Sequence, residues 1–158
     1  MVKRIFALIL TAVLMLSLVC CKNEPEYSHC ELILPLTSDY REVENENFDV
    51  TYSNGKNMVA VLRISFVAGL GEGIPETMTV VEFRDFWLNK LNRQAILSDG
   101  DTAYCEYYDG KGEDEIYYLE AFYRSQYAYF VVLFATSATR ESVGRSEFLN
   151  YIENVKFK

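Results

Sequence analysis

Apolar and polar positions alternate in several short stretches of the chain, and these predict strands. Phe48-Asp49-Val50-Thr51-Tyr52 alternates, Asn54-Gly55 follows, and Met58 to Phe66 continues as a longer apolar-rich run. An Asn-Gly pair between two such runs is a strong hairpin signal, so residues 48–66 are expected to form one. Before it, Cys30 to Leu34 is a short strand pattern stopped by Pro35, which cannot donate into a ladder, and Leu36 to Asn47 is polar and predicts a loop. Further on, Tyr104–Tyr108, Ile116–Arg124 and Tyr127–Thr136 predict three more strands. They are separated by the acidic loop Asp109–Glu115 and a tight turn at Ser125-Gln126. Ala128 to Ala135 is apolar at every position, so this strand must be covered on both faces and should lie centrally.

Two segments change from a period of two to a period near 3.6. Thr79-Val80-Val81-Glu82 matches a capping box and opens a helix over about Val80–Asn92. Val80, Phe83, Trp87 and Leu91 form its apolar stripe, with Phe86 beside it and Trp87 as a core anchor. A second helix opens at Thr139 or Ser142 and ends near Asn154, with Phe148, Ile152 and Val155 facing inward. Val155-Lys156-Phe157 then either adds a short strand or docks. Gly69 to Pro75 breaks all periodicity and predicts a mobile connector; its G-x-G-x-G spacing is not a phosphate-cradling loop. Strands joined by tight turns pair antiparallel. The expected fold class is α+β, a twisted antiparallel sheet covered by two main helices.

The N-terminal segment predicts an address rather than a folded element. Lys3 and Arg4 precede an uncharged run from Ile5 to Cys21, 17 residues long and rich in aliphatic side chains. This is the basic start and apolar body of a secretory signal. Its end, Leu18-Val19-Cys20-Cys21, resembles the lipobox of bacterial lipoproteins, departing from it at Cys20, where Gly, Ala or Ser is usual. The resemblance implies a signal peptide over residues 1–20 and lipid on Cys21, then a tether over 21–29 and one folded domain over 30–158. The other reading is an uncleaved anchor helix. Both place the domain outside the cytoplasm of a bacterium, held to the membrane.

Charge narrows the partners. The chain has 158 residues and a formal charge of -8; loss of Lys3 and Arg4 leaves 13 basic against 23 acidic residues, a net of -10. That excess disfavours nucleic acid. Cys30 and Cys105 remain outside the signal, and an even pair in an oxidising compartment is a disulfide candidate. The loop it would close spans 76 residues and would contribute roughly 4.5 kcal/mol if unstrained. Two buried thiols are the alternative.

Candidate chemistry is sparse. His29 is the only imidazole, which leaves little room for a Ser-His or Cys-His pair or a zinc site. Lys111 and Asp114 spoil a calcium reading of the 109–115 loop. No cofactor is expected. If Tyr108 pairs with Ile116, then Glu106 and Glu120 become diagonal neighbours about 7 Å apart on one sheet face. That is a spacing that a surface hydrolase could use. The same register collects Tyr104, Tyr108, Tyr118, Glu120 and Arg124, with Phe122, on a mixed aromatic and charged face, a candidate partner-binding surface.

The arrangement as a whole resembles a known group: an initial strand ending in Leu34-Pro35, a hairpin about Asn54-Gly55, Pro75 before a helix bearing Phe83 and Trp87, three aromatic strands, and a helix closing in Val155-Lys156-Phe157. It is similar to the PsbP-like α/β/α sandwiches, including bacterial lipoproteins of the DcrB type. The resemblance implies a non-catalytic binding or assembly module, with a protein partner at the cell surface.

Overall fold

The computed structural model describes residues 27–98 and 103–158. The signal segment, Cys21, the first part of the tether and most of the turn expected at residues 98–101 lie outside the described residues.

Among the described residues, ten strands and three α-helices follow one another. In chain order they are β1 (Tyr27–His29), β2 (Leu32–Leu34), β3 (Arg41–Val43), β4 (Val50–Ser53), β5 (Asn57–Ser65), α1 (Phe66–Gly71), α2 (Val80–Lys90), β6 (Ile96–Leu97), β7 (Tyr104–Asp109), β8 (Ile116–Arg124), β9 (Ala128–Ser137), α3 (Glu141–Asn154) and β10 (Lys156–Phe157). Seven strands form one antiparallel sheet in the order β3-β4-β5-β9-β8-β7-β6, and β1-β2-β10 form a small second sheet. Strand β9, apolar from Ala128 to Ala135, takes the middle place, as its pattern requires.

Each face of the large sheet carries its own core. On one side Phe83 and Leu88 of α2 pack with Ala60, Phe122, Tyr129 and Val131. On the other, Phe148, Tyr151 and Ile152 of α3 pack with Val59, Leu119, Phe134 and side chains of the small sheet. Gly144 lets α3 close onto β9, because a Cβ there would sit 2.6 Å from Thr136 Cγ2. Among the described residues no helix is long and apolar enough to cross a membrane.

Local chemistry explains the element ends. Thr79 and Glu82 form the complete capping box at the start of α2. Asn54 Oδ1 accepts the amides of Lys56 and Asn57, and Gly55 takes φ +79, which closes the β4–β5 hairpin. The Ser125 hydroxyl accepts the amides of Tyr127 and Ala128 in the β8–β9 turn.

Several expectations need correction. Residues 27–29, assigned to the tether, pair with β2 as β1, because Tyr27 buries its ring and its hydroxyl donates to the Tyr40 carbonyl at 2.8 Å. The loop over 36–47 contains β3. The connector expected over Gly69–Pro75 opens inside a helix, since Gly69, Leu70 and Gly71 belong to α1, which Ser65 caps by accepting the Ala68 amide. The stripe of α2 is also rotated: Leu91 is exposed, and Leu88 and Arg84 are buried instead.

Candidate functional site

The register between β7 and β8 decides the candidate chemistry. Asp109, not Tyr108, pairs with Ile116, which puts Tyr108 opposite Tyr117, Glu106 opposite Leu119, and Cys105 opposite Glu120. The register is one residue away from the expected one. The cause is the connection, where Gly110 at φ +91 and a 3-10 turn at Gly112–Asp114 let β7 run one residue further. Because side chains alternate, a slip of one exchanges faces for the whole of β7 relative to β8.

Two consequences correct the sequence reading. First, Glu106 and Glu120 lie on opposite faces of the sheet and cannot act as an acid–base pair. Glu106 faces α3, where Arg145 grips both its oxygens at 2.8 and 2.9 Å and the Tyr117 hydroxyl donates at 2.6 Å. The Arg145 bonds hold its carboxyl below the usual glutamate range. Glu120 faces α2 and is 3% exposed. Trp87 Nε1 donates to one of its oxygens at 3.2 Å and Arg93 to the other at 2.8 Å. Burial nonetheless pushes its pKa up, against the pull of Arg93. Each carboxylate joins the sheet to the segment covering it.

Second, the expected partner-binding residues separate. Tyr104 and Tyr108 share the α3 face with Tyr117 and Leu119; Tyr118, Glu120 and Arg124 share the α2 face with Cys105 and Tyr107. Glu120 is buried, and Arg124 sits at the end of β8 with one amino group donating to the Glu76 carbonyl.

The disulfide is likewise not formed. Cys30 is an exposed free thiol in the β1–β2 turn, and Cys105 is a buried free thiol under α2. Strand β1 packs into the α3-side core, so the large sheet stands between the two cysteines. Burial, with Glu120 nearby, pushes the Cys105 thiol up to about 12.

What the α2 face does present beyond the end of the helix is a partly open aromatic area, with Tyr107 buried and Tyr118 half-buried. Arg93 follows α2 and lays its guanidinium over the Tyr107 ring, 4.2 Å from the ring centre. Tyr107 stacks on Tyr118 at 5.1 Å with the planes 14° apart. Beside this stack lies a shallow groove of about 230 Å³ with Met58, Ile116, Tyr118 and Ala135 as its apolar surface. Ser53, Lys56 and Ser137 supply its polar rim. Met58 and Tyr118 are half-buried and Ile116 is exposed. Of the expected site residues, only Tyr118 belongs here. Arg93, Tyr107, Met58 and Ile116 were not legible as site residues, because a β7 register off by one hides Tyr107 and nothing in the chain marks Arg93 as its partner.

Among the described residues, no group of three or more His, Cys, Asp or Glu side chains could hold a metal ion.

No protein-family model matches the chain, and no curated protein matches it. A solved structure does: the solution structure of cyanobacterial PsbP (CyanoP) from Synechocystis sp. PCC 6803, with a TM-score of 0.57 at 12% identity, covering 90% of this chain and 99% of that one. The fold is therefore PsbP-like, and at this identity the likeness speaks for the fold alone.

Proposed function

We propose that the chain is a non-catalytic binding or assembly module, lipid-anchored through Cys21 on the outside of a bacterial membrane, that engages a protein partner through the Tyr118 face. One observation carries this reading. The groove of Met58, Ile116, Tyr118 and Ala135 leaves an apolar and aromatic part of the sheet open, backed by the Arg93–Tyr107–Tyr118 stack. Tyr and Arg are the residue types that most often anchor recognition surfaces. An exposed apolar patch rimmed by polar groups is a common mark of such a site. A hydrolytic reading has lost its residues, since Glu106 and Glu120 lie on opposite faces, each held by its own arginine.

The test is position-specific crosslinking on intact cells. A photoreactive side chain at Ile116 should give a discrete protein adduct, and the same group at Glu153, on the exposed side of α3, should not. Equal labelling from both positions, or none from Ile116, would count against the face. Labelled palmitate should enter the wild type and fail to enter Cys21→Ser.

A further inference from the structure

The Tyr118 groove holds about 230 Å³, below the roughly 300–1,000 Å³ of small-molecule sites, so it suits one side chain of a partner better than a free ligand. Its apolar residues share the α2 face of the sheet: Met58 pairs with Ala135, Ala135 with Tyr118, and Ile116 lies two positions before Tyr118 on the same strand. What stands beside them is charged. Asp109 is the cross-strand partner of Ile116 and lies two positions beyond Tyr107, so it belongs to that same face. It is exposed, and its Oδ1 accepts the Gly110 amide at 2.8 Å. Its charge reaches the groove: burial raises the Tyr118 phenol above its ordinary value, and Asp109 raises it further.

The loop that begins at Asp109 and ends before Ile116 carries four carboxylates and one lysine, Lys111. Glu113 and Asp114 are exposed in its 3-10 turn. Of the other cations nearby, Arg93 is paired with Glu120. Lys56, on the far rim of the groove, has Asp39 in its field: the Thr37 hydroxyl chiefly, with Lys56 adding, holds the Asp39 carboxyl below its ordinary value. The apolar floor is thus bounded on the Ile116 side by negative charge. Such a rim repels an anionic lipid surface and draws a cationic segment. Rim charges of this kind set the rate of encounter and its salt dependence.

We propose that the partner segment taken by this groove is basic: a bulky apolar side chain enters between Met58, Ile116, Tyr118 and Ala135, and a neighbouring Lys or Arg meets Asp109 and the acidic turn. The proposal rests on the reading of the Tyr118 face as a recognition surface and adds the chemistry of what that face takes.

The test titrates three peptides against the full chain in zwitterionic detergent, with the backbone amide signals of Ile116 and Tyr118 followed by NMR. The probes are acetyl-Lys-Arg-Leu-Arg-Lys-amide, its charge-reversed form acetyl-Glu-Asp-Leu-Asp-Glu-amide, and acetyl-Lys-Arg-Ser-Arg-Lys-amide, which lacks the apolar side chain. The first should bind at least tenfold more tightly than the second and several-fold more tightly than the third. Asp109→Asn, which keeps the acceptor for the Gly110 amide, should weaken the first at least threefold, as should Glu113→Gln with Asp114→Asn. A thermal melt checks that each variant folds, and if Asp109→Asn does not, the turn variant and the wild-type ratios decide. Equal affinities for the basic and acidic peptides, an undiminished affinity in the folded variants, or no shift at either amide at about 10 mM peptide would overturn the proposal. Crosslinking from Ile116 on intact cells separates it from the reading beneath it. An undiminished adduct when Asp109, Glu113 and Asp114 are all neutralised overturns this proposal and leaves the Tyr118 face standing, whereas no adduct in the wild type overturns both.

Discussion

Glu120 is the most deeply buried acid of the described fold, and that makes its partner Arg93 costly to lose. Truncating one partner of a buried pair leaves a charge without compensation, which typically costs about 3–5 kcal/mol. Arg93→Ala should therefore lower stability by about 3 kcal/mol in urea unfolding. Arg145→Ala should cost less, about 1 kcal/mol, because Glu106 is less buried and keeps the Tyr117 hydroxyl. Equal costs would contradict the difference in burial. The two acids also act oppositely with pH. Glu106 has a folded pKa below its ordinary value of 4.5, so its stabilisation is full above that value and is lost as pH falls through the folded one. Glu120 has a raised folded pKa, so ionising it costs stability as pH rises from 4.5 through the folded value. The stability lost between pH 7 and pH 4 should shrink in Glu106→Gln and grow in Glu120→Gln. The thiols give a kinetic check: a thiol reagent should label Cys30 at once and Cys105 only on unfolding.

At the scale of elements, the docking of α3 depends on one missing Cβ. Gly144→Ala would place that carbon 2.6 Å from Thr136 Cγ2, and Thr136 is buried within β9. Overpacking of this kind costs about 1–3 kcal/mol. Removing the opposing methyl with Thr136→Ser keeps the hydroxyl that donates to the Lys56 carbonyl and should recover most of the loss in the double variant. Additive losses would mean that the contact is not the cause. Elements whose identity rests on local chemistry were legible in the chain: the Thr79–Glu82 box, the Asn54-Gly55 turn and β9 with its apolar run from Ala128 to Ala135 all formed where the pattern put them. Elements that depend on distant partners were not. Strand β1 exists because β2 and Tyr40 are there to receive it, and β3 is all exposed and carries no apolar alternation to announce it. The β7–β8 register depended on how Gly110 and the 112–114 turn fold. One residue of difference there separated the expected Glu106/Glu120 pair and dispersed the expected tyrosine face.

At the scale of the molecule, on the proposed reading the six residues Cys21 to Glu26 would precede β1, the first described strand, as the tether. Fully extended, they reach about 20 Å, so a lipid on Cys21 would hold the domain close to the bilayer. The Tyr118 groove lies at one end of β5, β8 and β9, and a second cleft lies at their other end. The first is the centre of the functional reading, and Tyr118→Ala tests it most directly. The variant is compared with wild type by intact-cell crosslinking from Ile116, alongside urea unfolding. Truncation of a half-buried ring at the groove should leave the chain folded and reduce the Ile116 adduct at least fivefold. A folded Tyr118→Ala protein that gives the wild-type adduct in undiminished yield would contradict the assignment of this face to partner recognition.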